Sequence, residues 1–245
     1  MKIGIYGGTF DPPHLGHMEA AKAALDQLGL DRLLIIPDRE PPHKDLVAEA
    51  ATPQQRLDMA ALMADGLGPR AEASDLELRR EGKSYTADTV EELHEQFPED
   101  ELWLLMGTDM FLTLHLWREP ERIMALAGIC AFGRTEQDGE ELFAPQRAYL
   151  KEHFGAEIVT ITLPGLVDIS STRLRAGLDQ GLGRRYLVPA VYGCILMNSL
   201  YGVRADLKHL ELPELRACSY YRMKQKRVPH VMGVEEEAAK LARRW

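Results

Sequence analysis

The chain has 245 residues, of which 45% are hydrophobic and 27% charged, with a formal net charge of -9. This length and composition fit one large domain, or one domain with a small appendage, around a sizeable core. The acidic balance argues against broad nucleic-acid binding but not against nucleotides, whose phosphates need only a few local cations and backbone N–H groups.

In chain order, short apolar runs at 3–6, 33–36, 102–106, 129–132 and 158–163 read as buried strands. Helix-like stretches such as 15–28 and 56–64 lie between several of them, an alternation that predicts a parallel sheet covered by helices. Ligands of such sheets sit beyond the carboxyl ends of the strands. Thr52-Pro53-Gln54-Gln55 has the spacing of a capping box with Pro at the first helical position. Ser84-Tyr85-Thr86-Ala87-Asp88 offers hydroxyl caps before a helix, and Ser170-Ser171-Thr172 offers them again before Leu174 and Arg175. The acidic stretch 136–141 reads as an exposed loop. After about residue 202 the character changes, and 211–227 and 231–244 read as polar helices. The predicted organisation is 1–203 as one α/β domain and 204–245 as a helical extension.

Cys130, Cys194 and Cys218 form no C-x-x-C pair, and their odd number fits a reduced compartment. The N-terminus enters a strand-like run without a long apolar leader. The apolar stretch 187–197 contains Pro189 and Gly193 and is too short to span a bilayer. These features predict a soluble cytoplasmic protein without a nucleic-acid or membrane partner. They leave the oligomeric state open, a homo-oligomer included.

The most informative segment is Gly7-Gly8-Thr9-Phe10-Asp11-Pro12-Pro13-His14-Leu15-Gly16-His17, between a predicted strand and a predicted helix. Gly7 and Gly8 would let the chain turn tightly and phosphates approach the backbone. His14 and His17 are three apart and share one face of a first helical turn. Two imidazoles beside helix N–H groups can donate hydrogen bonds to a triphosphate, and Gly16 removes a side chain where a nucleotide would pass. A lone His-x-x-His is more often an ordinary surface pair. The segment lacks the Lys of a Walker loop and the G-x-G-x-x-G of a dinucleotide fold, so kinase and dehydrogenase readings lose support.

His14-Leu15-Gly16-His17 resembles the T/H-x-G-H signature of the nucleotidylyltransferase superfamily, and the full segment resembles the bacterial nicotinate-nucleotide adenylyltransferases. The resemblance implies a Rossmann-like parallel sheet with helices on both faces. It also implies transfer of AMP from ATP to nicotinate mononucleotide, with a Mg²⁺ ion carried by the substrate and no metal site of the protein's own. Four later segments match the same family in order. Pro41-Pro42-His43-Lys44 supplies a cation, Lys44 and with it His43, for the phosphates, with Arg56 positioning that loop. In Ser84-Tyr85-Thr86-Ala87-Asp88-Thr89, Tyr85 and Thr86 would receive the acceptor, Thr86 at a helix tip that favours a carboxylate. Gly107 and Asp109 would lie near the nucleotide, and Trp117 would stack on the pyridine ring. The family often has an aromatic residue after this Trp; here Arg118 follows, and its side chain receives no role. Ile169-Ser170-Ser171-Thr172-Arg173-Leu174-Arg175 resembles the I-S-S-T-x-x-R motif that holds the β- and γ-phosphates.

The resemblance thus assigns catalysis to His14, His17, Lys44 and Arg175. It assigns ATP to Gly7, Gly8, Thr9, Phe10, His14, His17, Gly107, Asp109, Ser170, Ser171, Thr172 and Arg175, and the acceptor to Asp11, Lys44, Tyr85, Thr86 and Trp117. Another mononucleotide acceptor and a non-catalytic nucleotide-binding module remain as alternatives. The segment 227–242 resembles the opening helix of an HD-type phosphohydrolase domain, with His230 at the first ligand position. No His-Asp dipeptide occurs in the sequence, and a metal site needs several ligands at once. The expectation is a docking helix without hydrolase activity.

Overall fold

The computed structural model describes residues 1–42, 50–133, 135, 138–163, 165 and 169–243, apart from the side chain of Gln225. Six strands form one parallel sheet: β1 (Lys2–Gly8), β2 (Arg32–Pro37), β3 (Ala71–Ala73), β4 (Glu101–Gly107), β5 (Gly128–Phe132) and β6 (Ile158–Ile161). Their spatial order is β3-β2-β1-β4-β5-β6. The five expected strands are present, the last ending at Ile161. Ala71–Ala73 was not foreseen, because three residues with a central Glu72 carry no apolar run.

Both sheet faces are buried, which is why the strands read as continuous apolar runs. Ile3, Ile5, Leu34, Ile36, Leu102, Leu104 and Met106 enter one core. Their neighbours Leu33, Ile35, Trp103 and Leu105 enter the other. Each fully buried Leu or Ile contributes roughly 1.5–3 kcal/mol. The second face is covered by α1 (Leu15–Gln27) and α2 (Pro53–Leu67), the first by α3 (Thr86–Gln96), α4 (Thr108–Thr113), α5 (Pro120–Leu126) and α6 (Glu140–Phe154). On α1 the buried stripe is Ala20, Ala21, Ala23, Ala24 and Leu25, and its four alanines let the helix lie close to the sheet.

The chain order reverses between β1 and β4, which pair in parallel from Lys2↔Glu101 to Ile5↔Leu104. That topological switch opens a crevice at the strands' carboxyl ends, between Gly7-Gly8 of β1 and Gly107 of β4.

Of the three helix starts read from sequence, two carry the expected caps and one does not. Thr52 Oγ1 accepts from Gln55 N at 3.3 Å and Gln55 Oε1 accepts from Thr52 N at 2.9 Å, closing the expected capping box with Pro53 at the helix start. Ser170 Oγ accepts from Arg173 N at 3.2 Å and caps α7 (Ser171–Leu178). The exception is α3. Its N-cap is Tyr85, whose side chain caps nothing. Ser84 Oγ instead accepts from Arg39 N at 3.0 Å, a tertiary bond that competes with local capping. The loop expected over 136–141 also needs correction. Glu140 and Glu141 form the first turn of α6, where acidic groups favour the helix dipole; residues 136 and 137 lie outside the described residues.

The apolar stretch 187–197 is largely a buried helix, α8 (Pro189–Met197), and no described helix is long and apolar enough to cross a membrane. After it come α9 (Leu212–Arg222) and α10 (Val228–Ala242). Ala217, Cys218 and Tyr220 of α9 share a core with α8, Leu200, Tyr201 and Val203, whereas α10 buries no residue. Contact between α8 and α9 depends on Gly193: a Cβ there would lie 2.0 Å from the Ala217 carbonyl oxygen. Gly193→Ala should therefore lower stability by about 1–3 kcal/mol, the usual range for overpacking. The readout is a lower urea midpoint with an unchanged slope, and an unchanged midpoint would contradict this close approach.

Candidate active site

β1 delivers Gly7 and Gly8 to the crevice. Neither has a positive φ, so the turn itself does not require them. Their value is space: a Cβ on Gly7 would meet nothing within 4 Å, and one on Gly8 would sit 3.4 Å from the Phe10 ring. The turn is made at Phe10, whose φ is 48°, in the left-handed region. Its ring is 2% exposed and packs edge-on against Tyr6, with centroids 5.5 Å apart. Phe10 also meets the His17 ring edge-on at 5.1 Å, so it packs against the histidine.

His14 is the N-cap of α1, and His17 lies three residues on. Their rings lie 3.8 Å apart between centroids. His17 Nδ1 accepts from the His14 backbone N–H at 3.2 Å. An imidazole that accepts at Nδ1 carries its proton on Nε2 when neutral. The backbone at the helix tip therefore sets His17 as an Nε2–H donor.

Two distant segments are fastened to this loop. Ser171 Oγ donates to the Pro12 carbonyl at 2.9 Å. Arg175 donates to the Asp11 carbonyl, reaches Thr172 Oγ1 at 3.3 Å and lies 3.4 Å from Asp11 Oδ2. Asp11 itself is 1% exposed; its Oδ1 accepts from Ala51 N at 3.1 Å and from Tyr201 Oη at 2.7 Å. Its carboxylate thus works inside the protein, where the resemblance had assigned it to the acceptor. Thr9 Oγ1 likewise turns inward and donates to Asp38 Oδ2 at 2.9 Å.

Arg56 is fully buried at 0% exposure. It donates to the Thr9 carbonyl at 3.1 Å, to the Asp38 carbonyl at 2.7 Å and carboxylate at 2.8 Å, to the Arg39 carbonyl at 3.0 Å and to the Ala51 carbonyl at 3.3 Å. Arg39 and Ala51 bracket the segment that carries His43 and Lys44, and both of those lie outside the described residues. A desolvated guanidinium needs this density of acceptors, and the acceptors gather the phosphate loop and both ends of that segment around one side chain.

The crevice has two lobes. A cavity of about 530 Å³ is lined by Gly7, Gly8, His14, Gly16, His17, Gly107, Asp109, Ser170, Ser171, Thr172 and Arg175, among others. A second, of about 210 Å³, is lined by Tyr85, Thr86, Trp117, Pro41, Pro42 and Glu77, among others. Gly7, Gly8, Thr9 and Met110 border both. Among the described residues, all those assigned to ATP line the larger lobe, and Tyr85, Thr86 and Trp117 of the acceptor set line the smaller one, while Asp11 lines the larger.

Residues 5–177 match the cytidylyltransferase-like family model. A probable nicotinate-nucleotide adenylyltransferase of Thermus thermophilus is 40% identical over 202 residues, covering 82% of this chain and 100% of that protein. One from Lachnoclostridium phytofermentans is 35% identical over 201 residues, covering 82% of this chain and 98% of that protein. The chain belongs to the nicotinate-nucleotide adenylyltransferase family. The nicotinic acid mononucleotide adenylyltransferase of Plasmodium falciparum, solved in complex with NaAD, superposes with a TM-score of 0.68 at 20% identity, covering 83% of this chain and 98% of that one. This likeness shows the shared fold.

The structure also places in the second lobe residues that sequence reasoning missed. Arg118, left without a role, lies over the Tyr85 ring at 4.5 Å and lines this lobe; it also approaches Glu119 at 3.3 Å and Asp88 at 3.7 Å. Asp38 directly follows β2, and the strand's end was the available signal. Glu77 had none, since nothing around it suggests burial. In the phosphohydrolase-like segment, His230 is an exposed residue of α10. Among the described residues no group of three or more His, Cys, Asp or Glu could hold a metal ion.

Glu77 is 7% exposed, and burial pushes its carboxyl up from the ordinary value. The Thr89 hydroxyl, which donates at 2.6 Å, and the Arg80 charge oppose that shift. A carboxyl whose folded pKa lies above its unfolded one weakens the folded state as pH climbs from the unfolded value, near 4.5, towards the folded one. Glu77→Gln should therefore gain in Tm relative to wild type as pH rises from about 4 to 7. Parallel Tm curves over that window would contradict the assignment.

Proposed function

We propose that this chain transfers AMP from ATP to nicotinate mononucleotide, releasing pyrophosphate and forming deamido-NAD. The observation that carries this reading is the pair of lobes meeting at Gly7-Gly8-Thr9, with His14 and His17 on the nucleotide side of the junction. A phosphate anchored in the acceptor lobe can face the α-phosphorus of a triphosphate in the larger one. One P–O bond forms to the acceptor oxygen as the bond from Pα to the β-phosphate oxygen breaks, and pyrophosphate departs with its electrons. No residue need become covalently bound, so the protein acts by positioning and by stabilising charge.

His17 donates from Nε2 to an α-phosphate oxygen as charge builds, and His14 sits beside it at the helix tip. Arg175, Ser171 and the N–H groups at the start of α7 hold the β- and γ-phosphates, together with Lys44. Tyr85, Thr86 and Trp117 hold the acceptor base, where the α3 tip favours a carboxylate over a neutral amide. Mg²⁺ suits a donor set with few carboxylates, because it keeps several waters and phosphate oxygens as ligands. Exposed Asp109, on the nucleotide lobe wall, is the residue suited to the hydrated ion, which supplies charge neutralisation along the triphosphate. A cytoplasmic location fits the three buried, free cysteines.

A panel of nicotinate mononucleotide, nicotinamide mononucleotide and phosphopantetheine, each with ATP and Mg²⁺, should give pyrophosphate fastest with nicotinate mononucleotide. A higher kcat/KM for either other acceptor would replace this assignment. His17→Ala should lower kcat by at least about 100-fold with its fold intact, the scale of losing one transition-state donor. Near-normal turnover in that variant would remove the role given to His17.

A further inference from the structure

Tyr201 lies outside every motif discussed above. Its backbone is held at φ 56° and ψ 35°, in the left-handed region that a bulky residue seldom adopts. Ser199, two residues earlier, has φ 51°. Such conformations persist where the surroundings over-determine them, and they cluster at functional sites. What this turn achieves is specific: it brings Tyr201 Oη to 2.7 Å from Asp11 Oδ1. Tyr201 is 6% exposed and Asp11 1%, so the bond is dry. The other oxygen, Oδ2, lies 3.4 Å from Arg175 Nη1, and the same guanidinium donates to the Asp11 carbonyl.

A buried carboxylate can hold an arginine in place only if its own orientation is fixed. Of the two described partners of Oδ1, Ala51 N at 3.1 Å is a backbone group and Tyr201 Oη at 2.7 Å is a side-chain hydroxyl. Two pivots on one oxygen aim the other at Arg175. We propose that Tyr201 is a positioning residue of the nucleotide lobe, acting through Asp11 to set the Arg175 guanidinium towards the triphosphate. The buried cluster of α8 and α9, which contains Tyr201, thereby supports the phosphate site. This inference rests on the proposed adenylyl transfer only for its kinetic readout.

The test uses the full chain with Tyr201→Phe, Arg175→Lys and the double variant. Tyr201→Phe should raise the KM for ATP about 5-fold or more and lower kcat about 10-fold, leaving the KM for nicotinate mononucleotide within about two-fold. On the Arg175→Lys background the same change should cost less than about two-fold in kcat, because the residue it acts through is already displaced. Wild-type kinetics in Tyr201→Phe, assayed well below its Tm, would overturn the proposal, as would a full additional 10-fold loss on the Arg175→Lys background. If Tyr201→Phe does not fold, Asp11→Asn takes its place. It should show the same ATP-side defect, and unchanged ATP parameters there would also overturn the proposal. Calorimetric titration with ATP alone separates the two levels of argument. Weaker ATP binding in Tyr201→Phe supports the positioning role even if wild type makes no pyrophosphate from nicotinate mononucleotide, a result that would refute only the assigned reaction; equal affinity in the two proteins counts against the positioning role.

Discussion

The hydrogen bond from the His14 backbone N–H to His17 Nδ1 is the interaction on which the proposed chemistry depends. It satisfies an N–H at the start of α1 and, in the same act, assigns the imidazole proton to Nε2. A histidine free to choose its tautomer would present a lone pair to a phosphate oxygen part of the time, which repels it. Here the helix start removes the choice. Phe10 meets the ring edge-on and the His14 ring lies tilted against it, so the donor is oriented before substrate arrives. Pre-set donors cost no reorganisation at the moment charge develops.

The rest of the fold keeps that tip in place. The sheet order reverses between β1 and β4, which leaves Gly7-Gly8 and Gly107 at the edge of an open crevice. Two buried charges then secure the loop from behind. Arg56 gathers the carbonyls of Thr9, Asp38, Arg39 and Ala51, and Asp11 ties Arg175, Ala51 and Tyr201. Buried ions of this kind are poor sources of net stability against an apolar replacement, yet breaking one partner is expensive. That asymmetry suits a site in which geometry matters more than adhesion.

The strands were legible because burial on both faces leaves an unbroken apolar run; β3, with Glu72 at its centre, had no such run. The α2 and α7 starts were legible because their caps are local, whereas Ser84 looked like a cap and bonds Arg39 across the fold. In the site, the residues lining the lobes were readable from Gly7 to His17 and from Ile169 to Arg175, since a contiguous loop carries its own chemistry. Residues that act through tertiary contact were not. Nothing local distinguishes Tyr201 from a core tyrosine or Glu77 from a surface acid. The burial of Asp11 was not legible, because two of its partners come from far along the chain: Arg175 is 164 positions away and Tyr201 190.

The most direct test of the central claim is a crystal structure of the full chain with a non-hydrolysable ATP analogue. His17 Nε2 should lie about 2.7–3.2 Å from an α-phosphate oxygen, with Nδ1 still accepting from the His14 N–H. A His17 ring turned so that Nδ1 faces the phosphates, or a triphosphate bound outside this cavity, would contradict the account.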